Sequence, residues 1–116
     1  MVVEDDLDNL ESLVELLNDE GYDVLAARTG QEASERLTAA HPRVIVVDYL
    51  LPDTNGTDLV RALRRQMSGP PVPVIFLTAI IDPIDSVGAP IVKKPIALAE
   101  FLDVLGRCCE GATPPS

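Results

Sequence analysis

The sequence predicts an α/β protein: one doubly wound, five-stranded parallel sheet with helices on both faces. Three observations predict it. Short apolar runs, most of them β-branched, alternate along the chain with stretches whose apolar residues recur at helical spacing. Alternation of this kind builds a parallel sheet through right-handed crossovers. At 116 residues and 47% apolar, the chain has the size and composition of one domain with its own core. Aromatic residues make up only 3% and Trp is absent, so that core is aliphatic.

Met1-Val2-Val3 reads as the first strand. Leu10, Leu13, Val14 and Leu17 then share one face of a helix, and Gly21 stops it in the expected position past a helix end. Tyr22 to Ala27 is the second strand. Gly30 opens a helix with Ala33, Leu37 and Ala40 on one face, ended before Pro42. Val44 to Val47 is the central strand. Thr57 to Met67 forms the next helix, with Leu59, Leu63 and Met67 spaced by four, and Ser68-Gly69-Pro70-Pro71 breaks it. Val72 to Leu77 is the fourth strand, with Pro73 tolerable only near its start. Ala79 to Ala89 holds Pro83 and Gly88 and admits at most one helical turn. Ile91-Val92 is a short fifth strand. Ala97 to Cys109 is the last helix, with Leu98, Phe101, Leu102, Leu105 and Cys109 inward, and Gly111 to Ser116 is a frayed tail after a domain spanning 1–110.

The residues just past each strand carry the chemistry. Val2-Val3 leads into Glu4-Asp5-Asp6, Val44 to Val47 into Asp48, Val74 to Leu77 into Thr78, and Ile91-Val92 into Lys93-Lys94-Pro95. In an open parallel sheet, ligands bind at the carboxyl ends of the strands, where the strand order reverses. Clustered carboxylates repel and raise one another's pKa unless a cation sits among them. Mg2+ suits such a set, because it takes one or two carboxylates, keeps waters and binds phosphate oxygens. A hydroxyl and an ammonium across the pocket would hold the remaining phosphate oxygens, which is most of what phosphoryl transfer requires. Asp48, central among the strands, is the candidate nucleophile, forming an acyl phosphate.

A net charge of −10 argues against nucleic acid and against anionic membranes as partners. No apolar run reaches the roughly 18 residues of a membrane span, and no signal peptide is present. The only cysteines, Cys108 and Cys109, are adjacent and do not bridge, which fits a reducing cytoplasm. His41 has no partner at metal-ligand spacing, and Arg61, Arg64 and Arg65 read as a solvated helix face.

Val2-Val3-Glu4-Asp5-Asp6, Val46-Val47-Asp48-Tyr49-Leu50-Leu51-Pro52 with Gly56, Phe76-Leu77-Thr78-Ala79 and Lys93-Lys94-Pro95 together resemble the receiver domain of bacterial two-component response regulators, over roughly Met1 to Arg107. Each motif alone is common; four in order, each at a strand end, are specific. The resemblance implies a flavodoxin-like, CheY-like strand order of 2-1-3-4-5. It implies a signalling phosphoacceptor rather than an enzyme acting on substrates. Asp48 matches the aspartate phosphorylated by a histidine kinase or histidine phosphotransfer protein. Asp5 matches the direct Mg2+ ligand, Glu4 the second acid, and Leu50 the residue whose backbone carbonyl binds the metal. Thr78 matches the hydroxyl that bonds the phosphoryl group, and Lys94 the lysine that pairs with it, ahead of a cis bond to Pro95. Asp6 is either a further acid of this set or a helix N-cap.

Three departures alter the expectation. Receivers carry an aromatic residue three positions before the lysine that swings inward on activation; here that position is Ile91, so the readout uses another movement. Only sixteen positions separate Thr78 from Lys94, so the helix between the fourth and fifth strands is short or missing. A conventional dimer through that face is therefore not expected; a monomer or a weak dimer using another face is. Leu50 and Ile80, two past Asp48 and two past Thr78, flank the water path in receivers, and both are apolar, so autodephosphorylation is expected to be slow.

The expected protein is a stand-alone cytoplasmic receiver that passes its signal to a downstream protein by contact. Alternatives are a receiver excised from a larger regulator or hybrid kinase, and a phosphorylation-independent pseudo-receiver that only binds proteins. A Mg2+-dependent aspartyl phosphatase fits less well, because Leu50 stands where its second aspartate belongs and no cap domain holds a substrate.

Overall fold

The computed structural model describes residues 1–69, 72–79 and 89–112, with side chains described as far as residue 108. These residues form nine elements in the order β1 (Val2–Val3), α1 (Leu7–Asp19), β2 (Ala26–Ala27), α2 (Gly30–Leu37), β3 (Ile45–Asp48), α3 (Gly56–Gln66), β4 (Val74–Thr78), β5 (Ile91–Lys93) and α4 (Leu98–Ala112). The strands form one sheet in the order β2-β1-β3-β4-β5, all neighbours parallel. This is the doubly wound order expected from the sequence.

Because side chains alternate across a strand, each strand feeds both faces of the sheet. Val3, Ile45, Val47, Val74 and Phe76 pack with Ala33, Leu59, Val60 and Leu63 beneath α2 and α3. Val2, Val44, Val46, Ile75, Leu77 and Val92 pack with Leu10, Leu13, Leu17, Phe101 and Leu105 beneath α1 and α4. The aliphatic composition thus resolves into two cores separated by the sheet.

Each of the first three helices starts on a side-chain cap. Asp6 accepts from the Asn9 N–H at 3.0 Å, Thr29 from Glu32 at 3.1 Å, and Asn55 from Asp58 at 2.9 Å. Asp6 therefore has the capping role among its two alternatives. Helix α1 ends in a Schellman motif: Gly21 N–H donates to Asn18 O and Tyr22 N–H to Leu17 O, with Gly21 at φ +91°.

Several boundaries differ from expectation. The second strand pairs only at Ala26–Ala27 rather than from Tyr22, because β1 offers two residues and the Tyr22 N–H is already spent on α1. Of the residues expected inward on α4, Phe101 and Leu105 are buried, Leu98 is 49% exposed, since it opens α4 before the helix reaches the sheet, Leu102 is half-buried outside both cores, and the Cys109 side chain lies outside the described residues. Helix α4 continues to Ala112, into the stretch read as tail; residues 113–116 lie outside the described residues. Between β4 and β5 lie only residues 79–90. The short or missing helix expected there, and Ile80, fall on residues 80–88, outside the described residues; the described residues hold four helices.

Candidate functional site

The register sets the site. Val3 aligns with Val47 and Asp48 with Leu77, which puts the ends of β1, β3 and β4 at one level of the sheet. Glu4 lies two residues after Val2, Asp48 two after Val46, and Lys94 two after Val92, and all three valines face the α1/α4 core. The two-residue alternation thus carries two acids and one lysine to the same face of the same edge. Thr78 shares parity with Phe76 and Val74 and so belongs to the opposite face.

Lys94 joins the set together. Its Nζ donates to Glu4 Oε2 at 3.1 Å and Oε1 at 3.3 Å, and to Asp48 Oδ2 at 3.1 Å. Glu4 is fully buried, Asp48 nearly so, and Lys94 half-buried. Burial pushes the Glu4 carboxyl above the usual carboxylate range, and the neighbouring Asp48 charge adds to this, against the pull of Lys94. For Lys94, burial acts to lower the pKa, but the bonds to Asp48 and Glu4 prevail and hold it above the usual lysine value. Asp5, next to Glu4 and exposed, completes a group in which carboxylate oxygens of Glu4, Asp5 and Asp48 lie within 4.8 Å of one another.

These residues fit a divalent cation. Three carboxylates against one ammonium leave uncompensated negative charge, one of the acids is already held toward its neutral form, and hard oxygen donors are what Mg2+ takes. Leu50, whose carbonyl is the fourth candidate ligand, is 59% exposed and pairs with Asn55 across the loop after β3. Thr78 is buried at the end of β4, and its carbonyl accepts from the Lys94 N–H at 2.8 Å, tying the hydroxyl-bearing and lysine-bearing ends together. The Lys94–Pro95 peptide is cis. Ile91 is 39% exposed on β5. Beside the acids, a groove of about 340 Å3 runs between α1 and the start of α4, lined by Leu13, Leu16, Pro95, Ile96 and Leu98 with Glu4 and Lys94 at its edge.

The loop after Asp48 is closed tightly. Gly56 N–H donates to Tyr49 O at 2.7 Å, and Leu51 N–H to Thr54 O at 3.1 Å. A Cβ on Gly56 would lie 2.8 Å from Phe76 Cε1 and 3.1 Å from Tyr49 Cδ2, so the close approach requires glycine. Tyr49 and Phe76 meet edge to face at 5.9 Å.

Sequence reasoning did not single out Arg28 or Asp53. Asp53 accepts from the Gly30 and Gln31 N–H groups at 2.9 and 3.1 Å, and Arg28 Nη2 donates to Asp5 O at 3.3 Å. Only the aspartate in Pro52-Asp53-Thr54-Asn55-Gly56 hinted at a turn or cap, and nothing local pointed to its partner over twenty residues away.

Comparison with known proteins agrees with this frame. The response regulator receiver domain family matches residues 1–105. The DNA-binding response regulator MtrA of Mycobacterium tuberculosis is 37% identical over 87 residues, covering 75% of this chain and 37% of that protein. The response regulator MprA of Mycolicibacterium vanbaalenii is 31% identical over 120 residues, covering 98% of this chain and 51% of its own length. A signal receiver domain of a signal transduction histidine kinase from Syntrophus aciditrophicus superposes with a TM-score of 0.83 at 31% identity, covering 99% of this chain and 92% of that one. The strand order and these matches define the class, a signal receiver domain. The chain belongs to the response regulator receiver domain family of two-component systems. It spans about a third to a half of the length of these curated relatives. Among the described residues, no helix is long and apolar enough to cross a membrane.

Proposed function

We propose that this chain is the phosphoryl-accepting receiver of a two-component phosphorelay, with Asp48 as the acceptor. The observation that carries this reading is the placement of Glu4, Asp48 and Lys94 on one face of one sheet edge, in hydrogen-bond contact, with Asp5 alongside. A histidine kinase or histidine phosphotransfer protein would present a phosphohistidine. An Asp48 carboxylate oxygen attacks phosphorus; the P–O bond forms as the P–N bond breaks, and the imidazole nitrogen leaves with the electron pair and is protonated from solvent.

Glu4, Asp5, Asp48 and the Leu50 carbonyl would hold Mg2+, which when bound neutralises charge on the phosphoryl oxygens. The rest falls to the chain's own groups. The phosphoryl group adds roughly one further negative charge to Asp48 and three acceptor oxygens. Lys94 already touches Asp48 and exchanges its bond to Glu4 for one to the phosphoryl group. The Thr78 hydroxyl donates to another phosphoryl oxygen and draws the end of β4 inward. With Ile91 where other receivers carry an aromatic ring, the signal passes through movement of the β4–β5 connection rather than a ring flip. Leu50 and Ile80 offer no polar atom to orient water, so the phosphorylated state is long-lived. The output is an altered protein contact made by a monomer or weak dimer, with no nucleic acid bound by this domain itself.

A phosphorylation-independent pseudo-receiver is the second reading, favoured by the exposed Ile91. Intact-mass analysis after incubation with Mg2+ and acetyl phosphate separates the two. A single Mg2+-dependent phosphoryl adduct on the wild type, absent from Asp48→Asn, is expected. A folded wild type that takes no adduct would establish the pseudo-receiver instead.

A further inference from the structure

We propose that residues 28–31 form a strap across the two loops that bear the metal ligands, and that Asp53 is its principal positioning residue. The inference rests on the receiver reading above and adds to it a device outside the ligand set.

The first N–H groups of a helix lack partners within it and are normally capped by the residue just before. In α2 only the third, Glu32, is capped that way, by Thr29 at 3.1 Å. The first two, Gly30 and Gln31, are capped from the loop after Asp48, by the two oxygens of Asp53 at 2.9 and 3.1 Å. A carboxylate there also meets the positive end of the helix dipole. These N–H bonds, the one from Gly30 foremost, hold the Asp53 carboxyl below its usual range. The fit leaves no room for a side chain: a Cβ on Gly30 would lie 2.9 Å from Thr54 Cγ2 and 3.3 Å from Asp53 Oδ2.

The other end of the strap reaches the other ligand loop. Arg28 Nη2 donates to the backbone oxygen of Asp5 at 3.3 Å, while the Arg28 N–H donates to Glu32 Oε1 at 3.5 Å. One short segment therefore touches the Asp5 peptide on one side and the Asp48–Asn55 loop on the other. That loop is closed on itself by Gly56–Tyr49 and Leu51–Thr54 hydrogen bonds and the Leu50–Asn55 bridge. Displacing Asp53 therefore moves the Leu50 peptide with it. Three carboxylates against the one ammonium of Lys94 leave net repulsion before a cation arrives, and Lys94 bonds only Glu4 and Asp48, so contacts outside the ligand set help to hold the spacing of its loops.

The test is calorimetric titration of Mg2+ alone, without phosphodonor, into wild type, Asp53→Ala, Asp53→Asn and Ser34→Ala, with the Gly30 and Gln31 amides followed by NMR. For Asp53→Ala the expected Mg2+ dissociation constant rises roughly three- to tenfold, less than the roughly 10–100-fold typical when a group bonded directly to a ligand is removed. Asp53→Asn keeps one acceptor oxygen and falls between. Ser34→Ala removes the hydroxyl that bonds Gln66 across α2 and α3, so it lowers Tm but leaves Mg2+ affinity unchanged. A folded Asp53→Ala whose dissociation constant stays within about twofold of wild type overturns the strap while leaving the receiver reading intact. If Asp53→Ala does not fold, Asp53→Asn decides by the same criterion once NMR shows the Gln31 amide released. A wild type that binds no Mg2+ overturns the receiver reading itself, and the strap with it.

Discussion

The two sides of Asp48 are held by different means. On the β1/β3 side, backbone geometry does the work: the loop after Asp48 is closed by its own N–H and carbonyl groups, pressed by Gly56 against Tyr49 and Phe76, and capped onto α2 through Asp53. On the β4/β5 side the described contacts to the acids are few: Lys94 reaches Glu4 and Asp48 by side chain, and its N–H bonds Thr78 O. The first side is fixed whatever the charge of Asp48. On the second side the backbone ladder also carries β4 and β5 as far as Thr78 and Lys93, but the Lys94 side chain beyond it is bound to the acids by charge, so a change at Asp48 acts first on Lys94. On the receiver reading proposed above, a backbone-held loop beside Asp48 and a lysine tethered by charge would let phosphorylation act through Lys94.

The largest effect should come from breaking the rigid side. Gly56→Ala puts a methyl group 2.8 and 3.0 Å from two ring atoms of Phe76, a fully buried side chain. Overpacking of this kind costs typically about 1–3 kcal/mol, and the upper end, about 3 kcal/mol, is expected here. Urea unfolding measures it; a loss under about 0.5 kcal/mol, the range of ordinary surface changes, would mean the loop is not rigid.

A smaller, pH-dependent effect should come from the charge-tethered side. Lys94→Met leaves Glu4 and Asp48 without their shared cation. The ion pair lies between the fully buried case, about 3–5 kcal/mol, and the exposed case, about 0–1 kcal/mol, so a loss of about 2 kcal/mol near neutral pH in Mg2+-free buffer is expected. The sign with pH is set by Glu4. Its folded pKa is raised above 4.5, so the native state retains a proton that the unfolded chain has released. The associated stability is full below 4.5 and is lost as pH rises through the folded value. Removing Lys94 removes an influence that lowers this pKa, so the gap between variant and wild type narrows on acidification as Glu4 neutralises itself. A gap that stays constant from neutral pH down to pH 4.5 would mean that Lys94 is not the counter-ion.

The fold and most of the site were legible because each rested on a local pattern. Apolar runs alternating with helical stripes gave the sheet, and acids, hydroxyl and lysine placed just past those runs gave the edge at which they gather. Which face the two acids and the lysine share was also present, as Val2-Glu4, Val46-Asp48 and Val92-Lys94 at a spacing of two, although the alternation was not used that way. Leu98 was misplaced because a stripe gives a helix's inward face but not where along its length the sheet begins. Asp53 was missed for a related reason: its partners are two backbone N–H groups on another helix, and a backbone group has no letter in the sequence.

The smallest effect tests how the rigid side governs lifetime. The Leu50 side chain is 59% exposed beside Asp48, and its backbone is held by the bridge to Asn55. An amide at this position sits at the mouth of the site, where it can accept from and donate to a water approaching the acyl phosphate. Leucine offers neither. Leu50→Asn should therefore speed decay of the phosphorylated protein severalfold, equivalent to roughly 1 kcal/mol of barrier, with little change in the rate of phosphorylation. Since an exposed side chain contributes little to the core, stability should move by less than about 0.5 kcal/mol. Following loss of the intact-mass adduct with time gives the rate. Decay no faster than wild type would mean that water reaches phosphorus along a path Leu50 does not border, and the Thr78 side would then set the lifetime.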